Sequence, residues 1–380
     1  MAKKVVLVGT AHPFRGGLAS YNERLIKEFN ELGDEASIET FTLQYPNFLF
    51  PGKTQYSDSP KPEGIEINES VSSVNPFNWI KIGRKIKKQK PDYLIFKFWL
   101  PFMGPCFGTI ARIAKKNKHT KVISIIDNII PHEKRIGDKV LSNYFVKLVD
   151  GFVAMSHSVL EDLNTFDSKK PKLYNPHPLF DNFGELISRE DALKELNLSP
   201  ENRYILFFGF VRDYKGLDLL LDAYADSRFR EMNVKLIVAG EYYNNEEQYT
   251  DQIKRLKLED EVILRNDFIP NEEVKNYFRA ADIIAQPYKN ATQSGVTQIG
   301  YHFEKPMLVT NVGGLAELIP HDKVGYVVKP NSQAIADSLI SFFKENKKEE
   351  FEANVKLEKE KFSWKKMVET INTLADDIQK

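Results

Sequence analysis

The chain has 380 residues, long enough to favour two hydrophobic cores over one. Its 53 Lys plus Arg balance 53 Asp plus Glu, so no global field gathers nucleic acid or anionic lipid. A single cysteine, Cys106, excludes an internal disulfide and a cysteine-based metal cluster.

In chain order, Met1-Ala2-Lys3-Lys4 runs straight into Val5–Val8, the first strand, which is too short an apolar run for a signal peptide and points to the cytoplasm. The following segment, Gly9 through Gly16-Gly17, is too long and proline-broken for the tight Gly-x-Gly-x-x-Gly turn of a nicotinamide site. A helix over Leu18–Leu32 and strands at Glu35–Thr42 and Tyr93–Phe98 come next. Between those strands, Trp79, Ile82 and Ile86 share one helical face opposite a dense cationic face running from Lys81 to Lys90. An outer helix packed on a sheet fits this better than a membrane-surface helix, because Pro91-Asp92 then opens a strand. The longest apolar stretch, Tyr93 to Ala114, is interrupted by Lys97, Pro101, Pro105 and Arg112 and cannot cross a bilayer as one helix.

Strands at Lys121–Ile126, Gly151–Ala154 and Lys172–Leu173 alternate with helices over Phe107–Asn117 and Val140–Leu148. The loop after Ile126 places Asp127, His132 and Glu133 at the carboxyl end of a buried strand. Tyr174-Asn175-Pro176-His177-Pro178 then breaks the periodicity and reads as a linker. A second series follows at Tyr204–Phe208, Val234–Ala239, Val262–Leu264, Ile283–Ala285, Met307–Thr310 and Gly325–Val328. The boundaries expected from this are 1–178, 179–360 and a final helical segment 361–380 crossing back to the N-terminal domain, with Trp364, Met367, Ile371 and Leu374 at helical spacing. The fold class is α/β, with two doubly wound Rossmann-like domains facing a cleft that is the default site.

Within the second series, Phe207 to Ala223 joins an apolar strand to the glycine turn Gly209–Gly216 and then to a helix with Leu217, Leu220 and Leu221 on one stripe. A strand that hands over to a helix through glycine leaves free backbone N–H groups for an anion, and Arg212 and Lys215 add full charges there.

These residues resemble the retaining glycosyltransferases of family four, which share the GT-B fold, and the resemblance spans essentially the whole chain. Gly16-Gly17 sits where that family has a glycine loop over the donor phosphates. Asp150 to Ser156 is similar to the end of its N-terminal domain, and Tyr174 to Pro178 to its linker entry. Gly209 to Gly216 is similar to the Arg and Lys pair that neutralises a nucleotide-sugar diphosphate. Ser294-Gly295-Val296, leading to Lys305-Pro306 and on through Gly313-Gly314 to Glu317, is the last match.

The resemblance implies a nucleotide-sugar donor, a glycan or lipid-linked acceptor, a retaining transfer without metal or other cofactor, and a role in cell-surface polysaccharide synthesis. It implies catalytic roles for Arg212, Lys215, His132 and Asp127, though Asp127 reads equally as an Asx-turn cap. Donor contacts implied are Gly16, Gly17, Gly209, Glu241, Phe268, Ile269, Gln293, Ser294, Gly295, Val296, Thr297 and Gln298, with the base near Asn266 to Pro270. One departure stands out. The family's two glutamates, eight positions apart, fall here at Ala291 and Ile299. A sugar-nucleotide 2-epimerase and a non-catalytic sugar-nucleotide-binding protein therefore stay open beside the transferase. The run Phe96 to Pro105 and the Lys81 to Lys90 face hint at a lipid-linked acceptor, with peripheral contact at the inner membrane surface.

Overall fold

The computed structural model describes residues 2–46, 54–57, 60–131, 135–181, 183–243, 245–291 and 294–378. They form two compact units, Met1–Pro176 joined by Trp364–Lys380, and His177–Ser363.

The first unit is built on a seven-stranded sheet of order β3-β2-β1-β4-β5-β6-β7. Its strands are β1 (Lys4–Val8), β2 (Glu35–Leu43), β3 (Glu66–Ser72), β4 (Tyr93–Phe98), β5 (Lys121–Ile126), β6 (Gly151–Ala154) and β7 (Lys172–Tyr174). The second unit carries six strands, β8 (Arg203–Phe208), β9 (Val234–Ala239), β10 (Val262–Arg265), β11 (Ile283–Gln286), β12 (Met307–Thr310) and β13 (Gly325–Val328), in the order β10-β9-β8-β11-β12-β13. Every pairing in both sheets is parallel. Helices cover both faces of such sheets, which is why the central strands read as unbroken apolar runs. In each unit the order reverses beside the first strand, between β1 and β4 and between β8 and β11, and the crevice at the carboxyl ends of that junction is where a doubly wound sheet binds ligands.

Three elements differ from the sequence expectation. Strand β3 was absent from it, because Glu66-Ile67-Asn68-Glu69-Ser70-Val71-Ser72 is an edge strand that buries only Ile67 and Val71. The apolar run from Phe96 to Pro105 is not a lipid-facing surface. Phe96, Phe98 and Met103 are fully buried in one core with Cys106 and Phe107, and Trp99 and Phe102 pack against it. The final helix runs Trp364–Asp377 rather than from position 361, with a 3-10 turn at Lys359–Phe362 before it. Phe362 belongs to a core of the second unit, whereas Trp364, Met367, Ile371 and Leu374 belong to a core of the first, so the chain changes units at Ser363. Thr370 Oγ1 donates to Asn175 Oδ1 at 2.9 Å, and Gly151 leaves room for Leu374, whose Cδ1 lies 3.1 Å from where a Cβ would stand.

The helix Pro76–Gln89 packs as expected, burying Ile82 and Ile86, while Trp79 donates to the Ser72 carbonyl at 2.6 Å. Among the described residues, no helix is long and apolar enough to cross a membrane.

The last helix is thus part of the first unit's core. Ile371→Ala should cost about 2–5 kcal/mol, as for other buried large-to-small changes, read as a lowered denaturant midpoint. An unchanged midpoint would mean that Ile371 contributes nothing to that core.

Candidate active site

In the second unit the sequence turns sharply where β8 ends. Gly209 has φ +92, a left-handed conformation that an L side chain resists, and a Cβ there would stand 3.1 Å from Lys215 Nζ and 3.8 Å from Val296 Cγ2. Gly216 has φ +69, and a Cβ on it would meet the Pro287 carbonyl oxygen at 2.1 Å. The turn between them is therefore locked against the loop after β11. The Lys289 N–H donates to the Tyr214 carbonyl at 2.7 Å, and Lys289 Nζ reaches Asp213 and Asp218, each at 2.9 Å. Below the turn, the helix Leu217–Tyr224 buries Leu217, Leu220 and Leu221, which fixes the cations at the rim.

The electrostatics of this turn are unusual. Among the described residues three lysines are buried, Lys97, Lys215 and Lys305. Lys97 pairs with Asp127 at 2.7 Å and Lys305 with Glu352 at 2.8 Å. Among the described residues no carboxylate pairs with Lys215. Burial, and then the Arg212 guanidinium, push its pKa down to about 8. Its Nζ sits 5.8 Å from the centroid of the Tyr288 ring, and Arg212 stacks over Tyr243 at 4.1 Å.

The opposite wall is the helix Gly295–His302, whose first turn has no side-chain cap. Its leading N–H groups are accordingly available to an anion. Ser294 Oγ lies 3.2 Å from the Tyr288 hydroxyl, and Thr310 Oγ1 donates to the Tyr288 carbonyl at 2.5 Å. Gly209, Lys215, Ser294, Gly295 and Val296 are thereby gathered at one carboxyl edge. Thr297 and Gln298 are placed differently from the sequence expectation. Both are fully buried, and Thr297 Oγ1 donates to Gln286 Oε1 at 3.1 Å, because the helix turns these positions toward β11. Thr297 braces the wall from inside, whereas the Gln298 amide is buried with no hydrogen-bond partner among the described residues. Ala291 and Ile299, where the resemblance puts two glutamates, are each 6% exposed and packed in the apolar core.

Around the same edge, the Glu241 carbonyl accepts from Val211 N–H at 2.9 Å, and Gly240 is needed because a Cβ would lie 2.4 Å from the Gly209 oxygen. Beyond β10, Phe268 is half exposed and Ile269 packs against the core. Gln293 and His132 lie outside the described residues.

In the first unit, Gly16 has φ +103 and opens the helix Gly17–Glu31, again with no side-chain cap. Asp127 follows β5, and its N–H donates to the Phe98 carbonyl at 2.9 Å. Its carboxylate takes an ion pair with Lys97 rather than capping a turn. Sequence reasoning missed Lys97, Tyr243 and Tyr288. A signal for Lys97 was present, since it is the one charge in the strand Tyr-Leu-Ile-Phe-Lys-Phe. The tyrosines carried no signal, because only the fold brings them under the cations.

Residues 188–361, nearly all of the second unit, match the family model for glycosyl transferases group 1. The chain is similar to the group 1 glycosyltransferases over that span. It is 22% identical over 382 residues to an uncharacterised glycosyltransferase of Methanocaldococcus jannaschii, covering 99% of this chain and 98% of that one. It is 24% identical over 333 residues to the O-antigen chain mannosyltransferase C of Escherichia coli, covering 85% and 84%. Among solved structures, sucrose-phosphate synthase of Thermosynechococcus elongatus shares the fold at TM-score 0.74, 13% identity and 98% coverage of both chains. Anabaena HepE in complex with UDP-glucose does so at TM-score 0.70 and 17% identity, covering 97% of this chain and all of that one. The chain thus shares the GT-B fold, two Rossmann-like units with the last helix returning to the first.

The Lys215 environment sets a stability test. A lysine whose folded pKa lies below its unfolded value binds fewer protons folded than unfolded between the two, so stability rises with pH across that window. From this group, wild-type stability should climb between about pH 8 and the unfolded lysine value near pH 10. Lys215→Met should lose that slope and be more stable at neutral pH by up to roughly 3 kcal/mol. Urea melts at several pH values check this, and a less stable Lys215→Met at neutral pH contradicts it.

Proposed function

We propose that this glycosyltransferase moves a sugar from a uridine-diphosphate donor to a glycan or lipid-linked acceptor in cell-surface polysaccharide synthesis, with retention and without a metal. The observation that carries the reading is the buried Lys215, paired with no carboxylate among the described residues, beside Arg212 and beneath Gly209. As the bond from the anomeric carbon to the diphosphate oxygen breaks, negative charge grows on the leaving group. A preorganised cation aimed at that charge is worth on the order of 3 kcal/mol. Arg212 and Lys215 supply two, and the uncapped N–H groups at Gly295 and Val296 add dipoles. The acceptor oxygen forms the new bond to the anomeric carbon, and its proton passes to an oxygen of the departing phosphate, so no separate base is required.

The base is assigned to the edge after β10, with Phe268 and Ile269, and Glu241 beside it. In the first unit, Gly16-Gly17 is assigned to donor phosphate, and Asp127 with His132 to sugar hydroxyls. The uridine assignment draws on the HepE complex and the polysaccharide role on the O-antigen mannosyltransferase. Metal independence draws on the chain having no Asp-x-Asp triplet and on the two cations at the turn.

An exposed apolar and basic surface supports a place at the cytoplasmic face of the membrane. Phe77 is 84% exposed at the start of the helix Pro76–Gln89, and Val140 and Ile136 are exposed at the start of the helix Asp138–Val146. The helix Gly104–Ala114 packs between these two on one sheet face, and all three begin at the carboxyl edge. Lys81, Arg84, Lys87 and Lys88 are exposed along the first of them. Greasy tips beside a cationic helix face match a peripheral lipid contact.

A thermal-shift panel of UDP, GDP, ADP and their sugars tests the donor, because a ligand that binds only the folded state raises the melting temperature. UDP compounds should give the largest shift, and Arg212→Ala and Lys215→Met should abolish it. Transfer should survive excess EDTA. Complete loss restored by Mg²⁺ would end the metal-free reading, product formation without acceptor would favour the epimerase, and binding without turnover or hydrolysis would favour a binding protein. Flotation with anionic liposomes at low salt should recover the wild type and lose Phe77→Ser. Absence of wild-type flotation removes the membrane contact.

A further inference from the structure

We infer that Lys97 is a positioning residue for sugar transfer, fixing the Asp127 carboxylate at the carboxyl edge of the first unit. The inference rests on the reading of Asp127 as a sugar contact. Lys97 is the fifth residue of β4, the strand at the switch point beside β1, and its side chain is 1% exposed. Its Nζ lies 2.7 Å from Asp127 Oδ1, 3.4 Å from Met155 Sδ and 3.5 Å from the centroid of the Tyr21 ring.

Those partners come from separate elements. Asp127 follows β5, Met155 follows β6, and Tyr21 stands on the helix that Gly16 opens after β1. One ammonium therefore ties the carboxyl ends of three neighbouring strands to the helix behind the glycine loop.

Stability alone does not account for this arrangement. Burial drives the Lys97 pKa down, and Asp127 opposes the shift. A buried ion pair commonly stabilises a fold no better than apolar residues of the same volume. A methionine or leucine at position 97 would continue the apolar strand and pack on Tyr21 without desolvating a charge. What the lysine adds is direction. It holds one carboxylate oxygen, while the Asp127 side chain stays 19% exposed, so the acid is the outward member of the pair and the lysine the inward one. An anchored carboxylate presents its remaining acceptor sites to a hydroxyl in one orientation, which is how a positioning contact lowers the entropy of reaching the reacting geometry.

The test is a double-mutant cycle of Lys97→Met, Asp127→Asn and the pair, with kcat and KM for donor and acceptor, UDP thermal shift and melting temperature measured for each. Lys97→Met should lower kcat about tenfold or more and leave the UDP shift intact, since Arg212 and Lys215 lie in the other unit, while its melting temperature reports separately the cost of leaving Asp127 unpaired. Adding it to Asp127→Asn should cost nothing further. Wild-type kcat in a folded Lys97→Met, or losses that multiply in the double variant, overturns the inference alone. Wild-type turnover in Asp127→Asn overturns the sugar-contact reading and the inference with it. Should Lys97→Met and Lys97→Gln both fail to melt cooperatively, Lys97 belongs to the fold and the positioning role falls.

Discussion

The proposed chemistry depends on one electrostatic imbalance, a buried lysine that pairs with no carboxylate among the described residues. Lys97 and Lys305 each meet a carboxylate, as buried ammonium groups must when the fold is to be neutral at those points. Lys215 meets glycine backbone, a tyrosine face and a second cation. The cost of that placement is carried by the surrounding turn, where two left-handed glycines, a locked loop from β11 and a buried leucine stripe over-determine the position. Under the proposed reading, an anion arriving at Gly209 relieves the cost, so affinity for a diphosphate is built into the fold rather than created on binding.

The sheets explain why such a point exists where it does. All strands are parallel, so every carboxyl end in a unit emerges at the same edge, and each strand must hand over to a helix there. Handing over without a side-chain cap, as at Gly16 and at Ser294, leaves N–H groups facing outward. Capped helices behave otherwise. Asn75, Ser156, Ser188 and Asn331 each close their own helix start with a side-chain oxygen. At Gly16 the uncapped start follows from residue choice, with glycine replacing a self-satisfying cap, whereas Ser294 could cap its helix but turns its hydroxyl to Tyr288.

Much of this was legible in the sequence for a physical reason. Strands buried on both faces cannot hide their apolar runs, and Gly209 to Gly216 shows its strand, turn and helix in one continuous stretch. The illegible parts are of two kinds. Edge strand β3 alternates too weakly to be seen, because solvent covers most of its side chains. Pairings such as Lys97 with Asp127, Arg212 with Tyr243 and Lys215 with Tyr288 join residues from different elements, and no local period encodes them. The inward turn of Thr297 and Gln298 was hidden for the same reason, since a helix start fixes which residues face out only once its packing against β11 is known. The apolar run after Lys97 misled in the opposite sense. It hinted at a lipid-linked acceptor, whereas its aromatic residues fill a core and its prolines start a 3-10 turn and a helix.

The positions that resemblance assigns to glutamates sharpen the electrostatic argument. Ala291 and Ile299 lie inside an apolar core with Tyr288, Val296 and Tyr301, so a carboxylate at either would be desolvated. Their apolar character keeps negative charge away from Lys215 and leaves the turn more strongly cationic than a carboxylate-bearing version would be. Under the proposed transfer this divides the labour differently. The cations take the charge that grows on the leaving diphosphate, while the positive charge that grows on the anomeric carbon finds its nearest anion in that same diphosphate. A retaining transfer proceeds well under such conditions, because the departing group stays paired with the carbon on the face that the acceptor enters. The missing glutamates are then compatible with catalysis, provided that Arg212 and Lys215 hold the leaving group in place while the new bond forms.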